Sequence, residues 1–186
     1  IEVDTQTLYV RLVDDLNNCI SSTSLDLIVN PLPEIITPTP LEECDDDYDG
    51  IVSFFDLSQK TEEILNGQTG ISVSYYETLE NAESSENPIE DLYTNIEVDT
   101  QTLYVRLEVD ETGCYATTTQ ELIVNPLPDY TDIIDQILCT DTPGLFDIFL
   151  SDYDIQVLNG QNPDQYTITY YTSAADAENG VNALEN

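Results

Sequence analysis

Three aspartates at alternate positions, Asp45, Asp47 and Asp49, are followed at once by Gly50, and we call residues 45–50 the acidic loop. Oxygen ligands at alternate positions with a glycine at the sharp turn are typical of a calcium-binding loop. Asp56 stands at the twelfth position counted from Asp45, where a calcium-binding loop has its last carboxylate ligand. Two hypotheses follow: a Ca²⁺ site formed by these four aspartates, or a solvated acidic turn screened by salt. The second is favoured by TDTPGL at 140–145, which keeps a single acid at the matching place.

Four cysteines, Cys19, Cys44, Cys114 and Cys139, recur at regular spacing in an acidic chain with one lysine, which predicts disulfides and an oxidising, extracellular setting. A bond between Cys44 and Cys114 would close most of one repeat, and we favour it, with Cys19 and Cys139 bonding to neighbouring repeats. The alternative pairs Cys19 with Cys44 and Cys114 with Cys139. No CxxC motif or histidine is present, so zinc is not expected.

A repeat of 95 residues organises these groups. Residues 96–128 match residues 1–33 at 22 of 33 positions, and the Cys44/Cys139 pair keeps the same offset. Self-similarity at a fixed period indicates an array of one structural unit. We therefore expect the end of one repeat at 1–33, a complete repeat at 34–128 and the start of another at 129–186. The proline-rich joints at 31–33 and 126–128 predict semi-stiff linkers.

Strand patterns fill the complete repeat. Residues 51–57 and 71–76 are short and rich in β-branched or aromatic residues, and 57–67 predicts a short helix that ends at a glycine. Leu103, Val105 and Leu107 alternate with polar residues, and the turn at 110–113 predicts a hairpin with the strand 114–124. Six or seven strands in 95 residues predict an all-β fold: tandem antiparallel immunoglobulin-like or fibronectin-like sandwiches.

Charge and composition exclude several function classes. Three basic residues face 38 acidic ones, for a formal charge of -35, so nucleic acid is not an expected partner. Histidine is absent and lysine occurs once, which removes the usual general base, and we expect no enzyme activity. No apolar run approaches the length of a membrane span, so we expect no membrane insertion in this segment.

The chain resembles the tandem immunoglobulin-like repeats of very large surface proteins of Bacteroidota, especially flavobacteria. The resemblance rests on CDDDYDG with FFDLS, on SVSYYETLENAE, and on LYVRLEVDETGCYATTTQELIVNPLP, which occur in this order. It implies secretion by the type nine pathway and service as an adhesin or filament at the cell surface. The eroded loop at 140–145 departs from this pattern.

The expected function is therefore structural: a repeat segment of an extracellular adhesin or surface filament that projects from the cell. Its partners would be neighbouring copies of the same repeat, in a covalent array or a self-assembled filament. In the filament, 129–186 of one chain would be completed by 1–33 of the next, with Cys139 meeting Cys19. The alternative function is a calcium-dependent carbohydrate-binding or surface-binding module that uses Asp45, Asp47 and Asp49.

Overall fold

The structure, a computed structural model, describes residues 4–135, 137, 139 and 148–185. The chain divides into two compact units, Ile1–Leu127 and Pro128–Asn186. Strands predominate over helices, which confirms the β-rich class. Within the described residues, no helix has the length and apolar character needed to cross a membrane.

The described part of the first unit, residues 4–127, forms eight strands. They are β1 (Asp4–Val13), β2 (Ile20–Val29), β3 (Leu41–Cys44), β4 (Phe55–Asp56), β5 (Ile71–Tyr76), β6 (Leu92–Tyr93), β7 (Thr100–Val109) and β8 (Tyr115–Asn125). Helices α1 (Thr61–Leu65) and α2 (Leu79–Ser84) lie in the same unit, and a 3-10 turn, Leu57–Lys60, leads into α1. The second unit contains 3-10 turns at Leu150–Tyr153 and Pro163–Gln165, and helices α3 (Asp154–Val157) and α4 (Ala174–Asn179).

A four-stranded sheet of order β3-β8-β7-β5 is the centre of the middle segment, residues 34–128. β7 and β8 form the predicted hairpin, and β5 pairs antiparallel with β7. β3 instead runs parallel to β8, with Leu41 opposite Leu122 and Cys44 opposite Asn125. The expectation of a purely antiparallel arrangement is wrong at this edge, because residues 37–39 run along β8 from Thr118 to Gln120 before β3 pairs with its end.

The predicted alternation is confirmed. Leu103, Val105 and Leu107 of β7 are fully buried on one sheet face, together with Leu122 of β8. Phe55, Leu57 and Ile64, from the β4 region and α1, are also fully buried and pack into this same core. The layer opposite the sheet therefore consists of the two-residue pair β4–β6, the 3-10 turn and α1.

Two elements differ from their predictions. The strand expected at 51–57 shortens to β4, because side-chain oxygens occupy the amides before it: Asp49 Oδ1 accepts from Ile51 N at 2.7 Å and Asn95 Oδ1 accepts from Val52 N at 2.8 Å. The polar stretch after β5 contains helix α2, whose N-cap Thr78 accepts from Asn81 N at 3.2 Å. A capping residue stabilises even a short helix.

Arg106 holds α2 against the outer face of the sheet. Its Nη1 donates to the carbonyl oxygens of Ala82 and Glu83 at 2.9 and 3.1 Å, and its Nη2 lies 2.7 Å from Glu108 Oε2. The guanidinium also stacks over the Tyr115 ring at 3.4 Å. Arg106 therefore forms an ion pair with Glu108, which lies two residues along the same strand.

The hairpin of β1 and β2, residues 4–29, forms a separate two-stranded sheet, which we call the N-terminal hairpin. Its sequence matches that of β7 and β8. Unlike them, it has exposed residues on both faces of both strands, apart from the half-buried Val13.

The C-terminal segment, residues 129–185, has local features that match the start of the middle segment. Gln161 Nε2 donates to the carbonyl oxygen of Asp129, as Gln68 Nε2 does to that of Glu34. Ser173 caps α4 by accepting from Asp176 N at 3.1 Å, as Thr78 caps α2. The segment 166–171, which matches β5 in sequence, forms no strand pairing.

Candidate functional site: the acidic loop and the two poles

The backbone of the acidic loop is organised around Asp45, a buried carboxylate. Its Oδ1 accepts from Asp47 N and Tyr48 N, both at 3.1 Å, and its Oδ2 accepts from Gly50 N at 2.9 Å. Burial acts to raise the pKa of Asp45, but the backbone N–H groups, chiefly that of Gly50, outweigh it and hold this pKa below its ordinary value. Asp45 therefore acts as an anionic anchor for the turn.

Asp47 and Asp49 are exposed at the surface of the same loop. Single carboxylate oxygens of Asp45, Asp47 and Asp49 all lie within 4.8 Å of one another, which is close enough for one cation. Partial desolvation, and then the negative charge of Asp49, raise the pKa of Asp47. The carboxylates of Asp47 and Asp49 are also engaged with backbone amides: Asp49 Oδ1 accepts from Ile51 N, and a backbone hydrogen bond from Asp49 acts to lower the pKa of Asp47.

Asp56, the fourth predicted ligand, lies outside this cluster. Its Oδ1 accepts from Ser58 N at 3.1 Å and from Ser58 Oγ at 2.5 Å, so it caps the 3-10 turn that leads into α1. Asp56 belongs to β4, six residues after Gly50. The structure thus brings three of the four predicted ligands together.

Asn95, which we did not predict from the sequence, is hydrogen-bonded to the backbone at the end of the acidic loop. It is 2% exposed, its Nδ2 donates to the carbonyl oxygens of Gly50 and Glu97 at 2.9 and 2.8 Å, and its Oδ1 accepts from Val52 N. Gly50 has φ +77, and a Cβ there would lie 2.5 Å from Val98 Cγ1. A buried asparagine gives no pattern that could be recognised in a single sequence.

The middle segment has two distinct ends. At one end, which we call the entry pole, Glu34 N donates to Gln68 Oε1 at 2.8 Å, and a cleft of about 730 Å³ is lined by 30–34, 67–69, Ile71, Val109, Glu111 and Thr112. From there the chain follows β8, with Thr37 beside Thr118 and the carbonyl of Thr39 accepting from Gln120 Nε2. At the other end, the exit pole, Asp45 N donates to the carbonyl oxygen of Asn125 at 2.8 Å.

Cys44 and Cys114 are separated by the length of the sheet. Cys44 pairs with Asn125 at the end of β8, and Cys114 precedes its first residue. Eleven strand residues span about 36 Å at ~3.3 Å per residue, whereas a disulfide requires Cα atoms within about 7 Å. The favoured Cys44–Cys114 bond within one repeat is therefore wrong.

All four cysteines are free thiols: Cys19, Cys44 and Cys139 are exposed, and Cys114 is half-buried. Cys19 occupies the turn of the N-terminal hairpin, the same place that Cys114 has in the β7–β8 hairpin. We call Cys114 and its counterpart Cys19 hairpin cysteines, and Cys44 and its counterpart Cys139 first-strand cysteines. In the middle segment the hairpin cysteine lies at the entry pole and the first-strand cysteine at the exit pole. Both kinds are at least partly accessible to solvent.

The middle segment is thus a β-rich body with a cysteine near each end, Cys44 at one and Cys114 at the other. The model of one family, the Flavobacterium inter-domain disulphide bond domain, matches this chain at residues 40–128 and again at 135–186. The chain belongs to this family. The two matches begin 95 positions apart. Among curated proteins and among solved structures, no significant match was found.

Proposed function

We propose that the chain is a repeat segment of an extracellular adhesin or surface filament, in which sandwich-like repeats are strung end to end and bonded across their junctions. The observation that carries the proposal is the position of Cys44 and Cys114 at opposite poles. A cysteine at each end of a repeat cannot strengthen that repeat by itself, but it can join two neighbours. The family description, an inter-domain disulphide, supports the same arrangement.

The geometry supports one bonding partner. Cys44 lies at the exit pole, beside the joint that leads to the following repeat, and the entry pole of that repeat would carry its hairpin cysteine. Each bond would therefore join a first-strand cysteine to the hairpin cysteine of the next repeat. A disulfide across a short proline-rich joint would restrain the angle between neighbours, which gives a stiff, extended array.

The charge of the chain fits a role outside the cell. A formal charge of -35 on 186 residues keeps neighbouring arrays apart and the array soluble. Because the described loops and strand edges carry many carboxylates, lateral aggregation of the exposed strands is also opposed.

Surface exposure is testable on intact cells of the source bacterium. Protease added outside the cells should remove the epitope of residues 34–128 while a cytoplasmic marker stays intact, and the native chain should be several times larger than 20.8 kDa. Full protection from protease in intact cells would contradict the proposal. Protection that disappears when only the outer membrane is permeabilised would assign the chain to the periplasm.

The second candidate is a calcium-dependent surface or carbohydrate binder, and one observation favours it. The carboxylate oxygens of Asp45, Asp47 and Asp49 converge within 4.8 Å at the exit pole. Calorimetric titration with Ca²⁺ tests it, with Asp47→Asn as the variant that removes an exposed ligand. Heat in the original chain that is lost in this variant would favour the binder, and no heat in either would remove it.

A further inference from the structure

The outward side of the β4–β6 pair carries large apolar side chains. Phe55 and Tyr93 stand opposite each other in this pair and are both buried in the core. Successive strand residues point to opposite faces, so Phe54 and Leu92 point outward, and they are 57% and 61% exposed. Phe54 and Leu92 are diagonal neighbours across the pair, which keeps their side chains within reach of each other.

The alternation of buried and exposed residues continues beyond β6. Asn95 is buried, and Ile96 after it is exposed. Asp99 N then donates to the carbonyl oxygen of Gly50 at 3.2 Å, which places Val98 beside the acidic loop. The outward side of this stretch therefore extends from β6 to the acidic loop.

Tyr48 adds an aromatic ring on the acidic loop itself, where its N–H donates to Asp45 Oδ1 at 3.1 Å. Five large apolar side chains thus share this side of the middle segment, and each is more than half exposed. We call them the ribbon patch: Tyr48, Phe54, Leu92, Ile96 and Val98. In residues 34–128, all of which the structure describes, the other exposed large apolar side chains are Ile35 and Leu79. Contiguous apolar surface with a polar border is typical of an interaction site.

Carboxylates border the ribbon patch. Asp46 Oδ2 accepts from Ser53 Oγ at 2.7 Å, next to Phe54. Further exposed carboxylates adjoin patch residues along the chain: Asp47, Asp49, Asp91 and Glu97. An apolar surface in a negative field favours a partner of the opposite charge.

The middle segment has two basic residues, and both are engaged elsewhere. Lys60 Nζ donates to Thr39 Oγ1 at 2.8 Å and lies 3.5 Å from Glu63 Oε2. Arg106 is bound to α2 on the outer face of the sheet. A second copy of the chain is a poor occupant of the patch, because it would bring a formal charge of -35 against these carboxylates. The occupant that fits both features is basic and partly apolar.

We propose that the ribbon patch is a docking surface for a basic, amphipathic segment of another protein. Apolar side chains of that segment cover Phe54 and Leu92, while its lysine or arginine side chains pair with the bordering carboxylates. Long basic side chains suit this surface, because their alkyl stems pack on apolar residues while their charged ends reach the acids. An arginine can also stack on the ring of Tyr48 or Phe54. The inference goes beyond the proposed function, since it requires only the middle segment and no junction between repeats.

Titration of the ¹⁵N-labelled 186-residue chain with two peptides tests this docking by nuclear magnetic resonance. The probe is a short amphipathic peptide of lysine and leucine, and the comparison peptide has serine in place of every leucine. At moderate salt the probe should shift the amide signals of Phe54, Leu92 and Ile96. It should also bind at least about tenfold more tightly than the comparison peptide. Equal binding of the two peptides would show attraction by charge alone and would overturn the proposal.

Leu92→Ser and Leu79→Ser form a matched pair of variants. Leu92 belongs to the ribbon patch, whereas Leu79 is exposed on α2, on the other face of the sheet. Leu92→Ser should weaken binding of the probe at least about tenfold, and Leu79→Ser less than about twofold. Both side chains are exposed, so both variants should keep the amide spectrum of the folded chain, and Phe54→Ser repeats the test at a second patch residue. Equal effects of the matched pair, or amide shifts confined to residues outside the patch, overturn the proposal.

Vesicles of neutral phosphatidylcholine distinguish a protein partner from a lipid surface. The chain should not sediment with such vesicles, because the carboxylates around the patch would lose water without gaining a partner. Sedimentation that Leu92→Ser abolishes would assign the patch to a membrane surface and overturn the proposal. Failure of the docking would leave the array of repeats untouched, since the array depends on the cysteines at the two poles.

Discussion

Cys44 and Cys114 lie at opposite ends of strand β8, one beside Asn125 and the other next to Tyr115. The parallel pairing of β3 with β8 causes this separation, because the chain enters the middle segment at one end and leaves it at the other. The ends of the segment thus coincide with its two thiols. In the proposed array, load would pass along the length of the segment and through the pairing of β3 with β8.

Substitution of Asp45 and of Asp47 should have opposite effects. Asp45→Asn removes the anion that accepts from three backbone amides and should lower the melting temperature of the middle segment. Asp47→Asn removes one of two exposed carboxylates that repel each other, and it should leave the melting temperature unchanged or raise it. Each variant loses one negative charge, so thermal melting of the two at pH 7 separates local geometry from overall charge. Equal shifts in the same direction would show that only net charge matters.

The same two residues predict the pH dependence of stability. A carboxyl with a lowered pKa in the folded state stabilises the fold above its unfolded pKa, and this contribution is lost as pH falls through the folded pKa. The difference in the free energy of unfolding between the original chain and Asp45→Asn should therefore be largest at pH 7 and should vanish in acid. The pKa of Asp47 is raised. Any gain in stability from Asp47→Asn should therefore be present at pH 7, and it should disappear as pH falls and Asp47 of the original chain becomes protonated. Urea unfolding from pH 7 down to about pH 3 measures both.

Gly50 should be far less tolerant of a side chain than Gly67. Both have positive φ, +77 and +78, so alanine at either costs about 1 kcal/mol in backbone strain. At Gly50 the new Cβ would also lie 2.5 Å from Val98 Cγ1, whereas at Gly67 no atom lies within 4 Å. We expect Gly50→Ala to lower the free energy of unfolding by about 2–4 kcal/mol and Gly67→Ala by about 1 kcal/mol. Equal losses in urea unfolding would contradict the packing of Gly50 against Val98.

Arg106 and Arg11 occupy matching places and should behave differently. Arg106→Ala leaves the carbonyls of Ala82 and Glu83 and the carboxylate of Glu108 without this partner, and should cost about 2–4 kcal/mol of unfolding free energy. Arg11 is exposed on the N-terminal hairpin, so Arg11→Ala should change the unfolding of the middle segment by less than about 0.5 kcal/mol. A small effect of Arg106→Ala would mean that contacts other than those of Arg106 hold α2 on the sheet.

Local patterns were sufficient to predict much of the sheet. The alternation of Leu103, Val105 and Leu107 identified the buried face, and Gly113 marked the hairpin turn. The helix after Leu57 was also predicted, since a leucine-rich, charged stretch ends at Asn66 and Gly67. These features depend on neighbours within a few residues, which a single sequence displays directly.

The remaining features depend on contacts between distant residues. The path of the linker sets the parallel pairing of Leu41 with Leu122. The shape of the acidic loop determines the burial of Asn95. The separation of Cys44 from Cys114 follows from that path too, so spacing alone favoured the wrong pair. The helix α2 had a local signal, the cap Thr78, but its polar composition hid it.

Disulfide formation in a two-copy tandem of residues 34–128 tests the central claim most directly. In one form only the first-strand cysteine of the first copy and the hairpin cysteine of the second copy are kept, and all others are serine. In the control form the hairpin cysteine of the first copy and the first-strand cysteine of the second are kept. Under oxidised glutathione, non-reducing mass mapping should find an intramolecular bond in the first form and none in the control. A bond in the control form alone, or in neither form, would contradict a pole-to-pole array.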